Sequence, residues 1–217
     1  MADDEPTPAP AIVLATGNPK KLGEVRAILE PEGFRVRGLD EFPAVPEPVE
    51  DAETFAGNAA LKAVAYAAAL GLPCLADDSG LCVDALDGAP GVHSARYAGL
   101  GHDRSTRDAA NNRKLLDALA GVSPERRTAR FVCAMCLAAP EGTILAQSEG
   151  RFEGVITDDP RGTHGFGYDP LLLLPDDGCT SAELDPAEKN RRSHRGAACR
   201  AILPQVRELI AGGVLGG

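Results

Sequence analysis

The sequence predicts an α/β fold of the mixed α+β kind, an elongated mixed β-sheet flanked by helices. Three observations predict it. Short apolar strand-like runs occur both beside helical stretches and in a hairpin, so strands and helices interleave without the strict alternation of a doubly wound fold. At 217 residues the chain can bury a sizeable core and fits one domain, with room for two lobes, better than two independent domains. Residues 11–217 show no repeat and no linker, whereas residues 1–10, acidic and Pro-rich, read as a disordered tail.

The elements follow in order. Residues 11–15 (Ala-Ile-Val-Leu-Ala) read as a buried strand that Thr16-Gly17-Asn18 breaks, and Pro19 opens a helix to Leu29 at a position where a first turn tolerates proline. Residues 34–38 are a second short strand. Residues 41–53 are too polar for core, and Pro43, Pro46 and Pro48 make them stiff enough to place a side chain. Residues 54–70 form an Ala-rich helix, capped by Thr54 and closed by Gly71 and Pro73. Residues 75–84 read as two strands around an Asp77-Asp78-Ser79-Gly80 turn. Residues 103–119 form a second long helix with Asn111, Asn112, Arg113 and Lys114 on its wet side. Residues 128–139 and 143–152 are a hairpin closed at Pro140-Glu141-Gly142. A Gly-rich loop over residues 154–168 and helices over residues 181–189 and 193–210 complete the chain.

Composition removes several classes of function. The net charge of -10 and a pI near 4.9 argue against a nucleic-acid polymer as partner, because phosphate-backbone binding needs a broad basic surface. No run approaches the roughly 20 apolar residues of a membrane span. Met1-Ala2-Asp3-Asp4-Glu5 lacks the positive start of a signal peptide, so a cytoplasmic protein is expected. The six cysteines lie mostly in apolar runs and read as free buried thiols. Cys133 and Cys136 have the spacing of half a zinc site, but on a strand their sulfurs point to opposite faces and no second Cys or His pair complements them.

Chemistry gathers at five places. Thr16-Gly17-Asn18-Pro19-Lys20-Lys21 offers free amides at a helix N-terminus and two lysines, a set suited to phosphate, although an ordinary strand-turn-helix junction has the same look. Asp77 and Asp78 end an apolar run where a hard cation could sit, one carboxylate bracing the backbone and the other facing a cleft; a capping turn is the bland alternative. Glu50 and Asp51 stand on the stiff loop, where plain solubility also accounts for them, as it does for Lys62 in the Ala-rich helix. Residues 164–170 (His-Gly-Phe-Gly-Tyr-Asp-Pro) flank aromatics with glycines, which permits close backbone approach to a ligand and a ring for base stacking, or equally a plug over the core. Residues 188–196, with Lys189, His194 and Arg195, concentrate cations in an acidic chain.

Together these segments resemble the Ham1 family of inosine triphosphate pyrophosphatases. The resemblance rests on residues 15–21 (Ala-Thr-Gly-Asn-Pro-Lys-Lys), 54–59 (Thr-Phe-Ala-Gly-Asn-Ala) with Lys62, 76–80 (Ala-Asp-Asp-Ser-Gly), 88–97, 165–170 (Gly-Phe-Gly-Tyr-Asp-Pro), and Glu188-Lys189 with Ser193-His194-Arg195, in family order over nearly the whole chain. Gly57 departs from it, standing where a Glu is common. The resemblance implies two lobes with a nucleotide cleft between them, a homodimer, a requirement for Mg²⁺, and hydrolysis of purine nucleoside triphosphates (ITP, dITP, XTP) between the α- and β-phosphates. It implies Glu50, Asp78 and Asp77 as metal ligands and Asp78 as the catalytic group that orients or deprotonates water. It also implies substrate binding by Thr16, Gly17, Asn18, Pro19, Lys20, Lys21, Lys62, Ser79, Phe166, Gly167, Tyr168, Asp169, Lys189, His194 and Arg195. Of the two lysines, Lys21 is the one expected to matter for phosphate. Lys189, Arg195 and His194 can donate to an acceptor at purine position 6, which hypoxanthine and xanthine present and adenine does not. Two other readings stand beside it: a pyrimidine-directed pyrophosphatase of the similar Maf fold, and a nucleotide sensor whose carboxylates only bind metal.

Overall fold

The computed structural model describes residues 10–99 and 103–215, so the acidic tail expected at residues 1–10 lies outside the described residues except for Pro10. Seven strands form one mixed sheet in the order β2-β1-β3-β4-β5-β6-β7. β1 (Ala11–Leu14) lies between β2 (Arg35–Gly38) and β3 (Cys74–Val83), parallel to both. β3, β4 (Thr128–Ala138), β5 (Ile144–Ile156), β6 (Leu172–Leu174) and β7 (Cys179–Thr180) then pair antiparallel. The expected hairpin turn closes where Ala139 N donates to Thr143 O at 2.8 Å.

The helices are α1 (Pro19–Leu29), α2 (Phe55–Leu70), α3 (Arg104–Ala118), α4 (Pro186–Arg192) and α5 (His194–Ala211). Local chemistry fixes their starts. Asn18, Thr54, Asp103, Asp185 and Ser193 each accept a backbone N–H of the following first turn through the side chain. Gly71 ends α2 in the left-handed region, φ 65°.

Four expectations need correcting. The Asp77-Asp78-Ser79-Gly80 segment is no turn: β3 passes through it unbroken and pairs with β4 at every residue from Cys74 to Val83. Its polar side chains are met by cations and an amide from helices distant in sequence, so their turn propensity is overridden. Asn111, expected on the wet side of α3, is buried and holds the Ala98 amide at 2.7 Å and the Ser94 carbonyl at 3.2 Å. β5 extends to Ile156, past the Gly154 at which a loop was expected to start. The helix expected from Ser181 begins at Pro186, after a 3-10 turn over Ser181–Glu183.

The apolar residues segregate into three clusters. One packs α1 and α5 on one face of β1–β5 through Leu14, Leu29, Met135 and Ile202, and another packs the Ala face of α2 on the opposite side through Ala59, Ala63, Ala76 and Ala134. The third joins α3, β6 and the far ends of β3–β5 through Leu81, Leu115, Phe152 and Leu172. Cys133 and Cys136 fall in different clusters on opposite faces of β4, as the strand reading required. Along β3 the apolar ends, Cys74–Ala76 and Leu81–Val83, belong to different cores, and the polar residues Asp77–Gly80 lie between them. Two lobes therefore share one floor, and the gap over its polar middle is a cleft.

The N-terminus of α5 rests directly on β5. A Cβ at Gly150 would run into the His194 carbonyl and the Ala198 amide, both backbone atoms that cannot swing aside, and the adjacent Ser148 Oγ donates to Ala198 O at 2.8 Å. Gly150→Ala should therefore cost about 1–3 kcal/mol or more, lowering Tm by about 2–12 °C for a chain of this size. Calorimetry that finds the parent Tm in the variant would show that α5 is not seated as described.

Candidate active site

The cleft has a volume of about 800 Å³, and its lining includes Thr16, Gly17, Asn18 and Lys21 from the β1–α1 junction. Glu50 and Lys62 come from the Pro-rich loop and α2, Asp78 and Ser79 from β3, and Phe166, Gly167, Tyr168 and Asp169 from the loop before β6. Lys189, His194 and Arg195 come from α4 and α5. Pro19, Lys20 and Asp77 do not line it. Lys20 instead donates to Gly165 O at 2.8 Å and lies 5.7 Å over the Phe166 ring, so it holds the Phe166 loop from α1.

Strand geometry sends Asp77 and Asp78 to opposite faces. Asp78 faces the cleft. Its Oδ1 lies 3.3 Å from Lys62 Nζ, which also lies 3.2 Å from Glu50 Oε2, and its Oδ2 accepts from Asn58 Nδ2 at 3.2 Å. Burial pushes the Asp78 carboxyl up against the pull of Lys62 and Lys21, and the neighbouring Glu50 charge adds to the rise. Lys62 itself is held charged despite burial, by Asp78, Asp77 and Glu50. Asn58 does a second job: its Oδ1 accepts from Ala52 N at 3.0 Å, tying the Pro-rich loop to the side chain that orients Asp78.

Asp77 sits behind the cleft wall with no exposed side-chain surface. Its Oδ2 takes Lys21 Nζ at 2.8 Å, Arg195 Nη2 at 3.1 Å and Nε at 3.3 Å, and Ser79 Oγ at 3.4 Å. Burial opposes ionisation there, but Lys21, Arg195 and Lys62 together outweigh it and hold the carboxyl well below the usual carboxylate range. Arg195 is further committed to Ser79 Oγ at 2.8 Å and to Glu24, so most of its donors are spent inside the protein. Glu24 also lies 3.8 Å from Lys189.

The remaining end of the cleft is built around an aromatic ring. Phe166 lies between Gly165 (φ 76°) and Gly167 (φ 64°), and a Cβ at Gly165 would collide with Asp169, which is where only glycine fits. Asp169 accepts Phe166 N at 2.8 Å, Lys189 Nζ at 2.5 Å and Ser181 Oγ at 2.8 Å, so it fixes the loop. Tyr168 is core: its hydroxyl donates to Ser94 O at 2.9 Å. His194 stacks on Phe131 with centroids 5.0 Å apart. Burial foremost, then Arg195 and Lys189, depress its pKa well below the ordinary value and keep the imidazole neutral.

Glu50 and Asp78 converge on one ammonium, so hard oxygen donors already meet where a cation sits, and this fits Mg²⁺. No cluster of three His, Cys, Asp or Glu side chains that could hold a metal forms among the described residues, so two carboxylates would need substrate oxygens and water to complete a shell. Asp77, expected beside them, turns instead toward Lys21 and Arg195. Sequence reasoning missed Glu24, Asn58 and Phe131. Asn58 alone carried a signal, a poor helix former inside an Ala-rich helix.

The Ham1 family model matches residues 12–205. The chain is 49% identical over 201 residues to the dITP/XTP pyrophosphatase of Streptomyces coelicolor, covering 92% of this chain and 98% of the relative. It is 51% identical over 187 residues to that of Geobacter sulfurreducens, covering 86% and 92%. Among solved structures, a HAM1 protein from Coxiella burnetii superposes with a TM-score of 0.81 at 42% identity, over 91% of this chain and 98% of the other. A nucleoside-triphosphatase / dITP/XTP pyrophosphatase from Mycobacterium abscessus gives 0.71 at 45% identity, over 89% and 99%.

Asp77→Asn would leave Arg195 buried beside a neutral group, and stability at pH 7 should fall by about 3–5 kcal/mol. A depressed carboxyl contributes stability that is full above its unfolded value near 3.9 and lost as pH falls through the lower folded value. Urea unfolding of parent and variant should therefore show a gap that is wide at pH 7 and narrows as pH drops below about 4. A gap independent of pH would mean that Asp77 is not the ionised hub.

Proposed function

The chain belongs to the Ham1 family, and we propose that it is a hydrolase acting on noncanonical purine nucleoside triphosphates (ITP, dITP and XTP), releasing the monophosphate and pyrophosphate and so cleansing the nucleotide pool. The observation that carries the reading is the meeting in one cleft of Glu50, Asp78 and Lys62, the β1–α1 junction with Lys21, and Phe166, Lys189 and His194. The carboxylates and lysines suit a metal-bound triphosphate, and the aromatic ring with its neighbouring donors suits a purine.

When bound, Mg²⁺ would be held by Glu50 and Asp78 and would neutralise phosphate charge. Asp78, raised by burial and oriented by Asn58, takes the proton of the attacking water. Lys21, Lys62, Asn18 and Thr16 hold the triphosphate and stabilise the charge that builds on the departing pyrophosphate. Asp77 contributes by fixing Lys21 and Arg195, and Ser79 links Arg195 to the cleft floor. Phe166 stacks on the base, and Lys189 with His194 faces its 6-position. Adenine would leave those donors unpaired, a form of rejection that can reach about 10⁴.

The setting is proposed as cytoplasmic, supported by six free cysteines. No helix among the described residues is long and apolar enough to cross a membrane. The active form is proposed as a symmetric dimer, with the 3-10 helix Gly91–Arg96 offering exposed His93, Ala95 and Arg96 to a second copy. Sedimentation should give about twice 22.5 kDa at micromolar concentration; a species of 22.5 kDa would remove the dimer.

Pyrophosphate and phosphate release should be measured from ITP, dITP, XTP, GTP and ATP with and without Mg²⁺. Pyrophosphate should be the product, Mg²⁺ should be required, and kcat/KM for ITP, dITP and XTP should exceed that for ATP by at least about 10². Phosphate as product, or ATP within a few-fold of ITP, would overturn the proposal. Asp78→Asn should cut kcat by a factor on the order of 10² or more with the Tm preserved, and near-parental turnover would dismiss Asp78 as the base.

A further inference from the structure

The ring of Phe166 lies within 5.7 Å of Lys20, 5.6 Å of Lys189 and 6.0 Å of Arg195, on a short stretch bounded by two glycines. Gly165 and Gly167 on either side both adopt left-handed backbone and carry no side chain. A second cavity of about 460 Å³ adjoins the loop, lined by Asp108, Asn112 and His164 among others. The position of the loop depends on hydrogen bonds. On the N-terminal side these come from Lys20 to Gly165 O and from Phe166 N to Asp169, both within the site already described.

On the C-terminal side they come from α3. Gly167 N donates to Asp108 Oδ2 at 2.9 Å, and Gly167 O accepts from Asn112 Nδ2 at 3.1 Å. Asp108 and Asn112 are four residues apart on one helix face, and together they grip the peptide groups on both sides of the Gly167 Cα. The carbonyl can only accept, so the Asn112 amide must present its nitrogen. The other end of that amide, Oδ1, is buried without a hydrogen-bond partner.

We infer that Asp108 and Asn112 form a clamp that sets the orientation of the Phe166 ring and thereby tunes purine discrimination from α3. They are positioning residues. The inference rests on Phe166 being the surface on which the base stacks.

The test compares Asp108→Ala, Asp108→Asn and Asn112→Asp with the parent and with Phe166→Ala, reading KM, kcat at saturation and the ITP-to-ATP ratio of kcat/KM, with circular dichroism as the check on folding. Asn112→Asp keeps the side-chain shape but turns the only donor into an acceptor facing a carbonyl. It and Asp108→Ala should each raise KM for ITP about tenfold and shrink the ITP-to-ATP ratio about tenfold, with kcat at saturating ITP within about twofold of the parent. Asp108→Asn, which retains an acceptor for Gly167 N, should lose less than Asp108→Ala. If Phe166→Ala raises KM while both α3 variants keep the parental KM and ratio, the clamp is wrong and the stacking reading survives. If Phe166→Ala leaves KM unchanged, both fall together.

Discussion

The Asp77 carboxylate, fully enclosed, is where three parts of the chain are bound together: Lys21 from α1, Arg195 from α5, and β3, whose own Ser79 closes the ring. Charges taken out of water at this depth are tolerated only when each meets a partner in good geometry. That requirement leaves little latitude in how α1 and α5 sit on the sheet. Such networks add little net stability compared with an apolar replacement, but they penalise every arrangement that strands one of the charges. The site inherits its precision from this penalty. Lys21 and Arg195 reach the cleft wall with their positions already decided, and Glu24 extends the same control to Lys189.

The two neighbouring aspartates show how one strand separates bracing from chemistry. Alternation along β3 gives Asp77 to the α1–α5 face and Asp78 to the α2 face. The two carboxyls move in opposite directions as a result: Asp77 is held ionised by Lys21, Arg195 and Lys62 despite its burial, and Asp78 is raised by burial and by the neighbouring Glu50 charge. No difference in residue type could produce this; only the side of the sheet does.

Much of this was legible in the sequence where local chemistry sets the outcome. α1 runs from Pro19 to Leu29 as read, because proline at the first helical position and the Asn18 cap act within a few residues. Thr54 and Gly71 bound α2 for the same reason. Legibility failed where distant partners decide. Asp-Asp-Ser-Gly has turn composition and becomes strand because β4 pairs with it and helices supply its counter-charges. Asn111 looked solvent-facing and is buried because the backbone near Ser94 and Ala98 needs its amide. The cleft residues were named by motif, but their division of labour was not: that Lys20 grips Gly165, that Tyr168 serves Ser94, and that Glu24 and Asn58 belong to the site at all are facts of tertiary contact.

The unbroken run of β3, with β4 and β5 alongside it, restricts how substrate can come and go. A cleft between lobes joined by a flexible connection opens by rotation about a hinge. Here the connection is three long paired strands passing beneath both cores, and the base of the groove cannot widen without shearing their hydrogen-bond ladders. Motion is left to the rims, the proline-stiffened stretch over residues 42–54 and the glycine-flanked stretch over residues 157–170. Asp78 and Ser79 stand on that stationary floor whereas Glu50 and Phe166 stand on the rims, so any movement that admits a nucleotide changes the approach of Glu50 to Asp78 and leaves the backbone of Asp78 undisturbed.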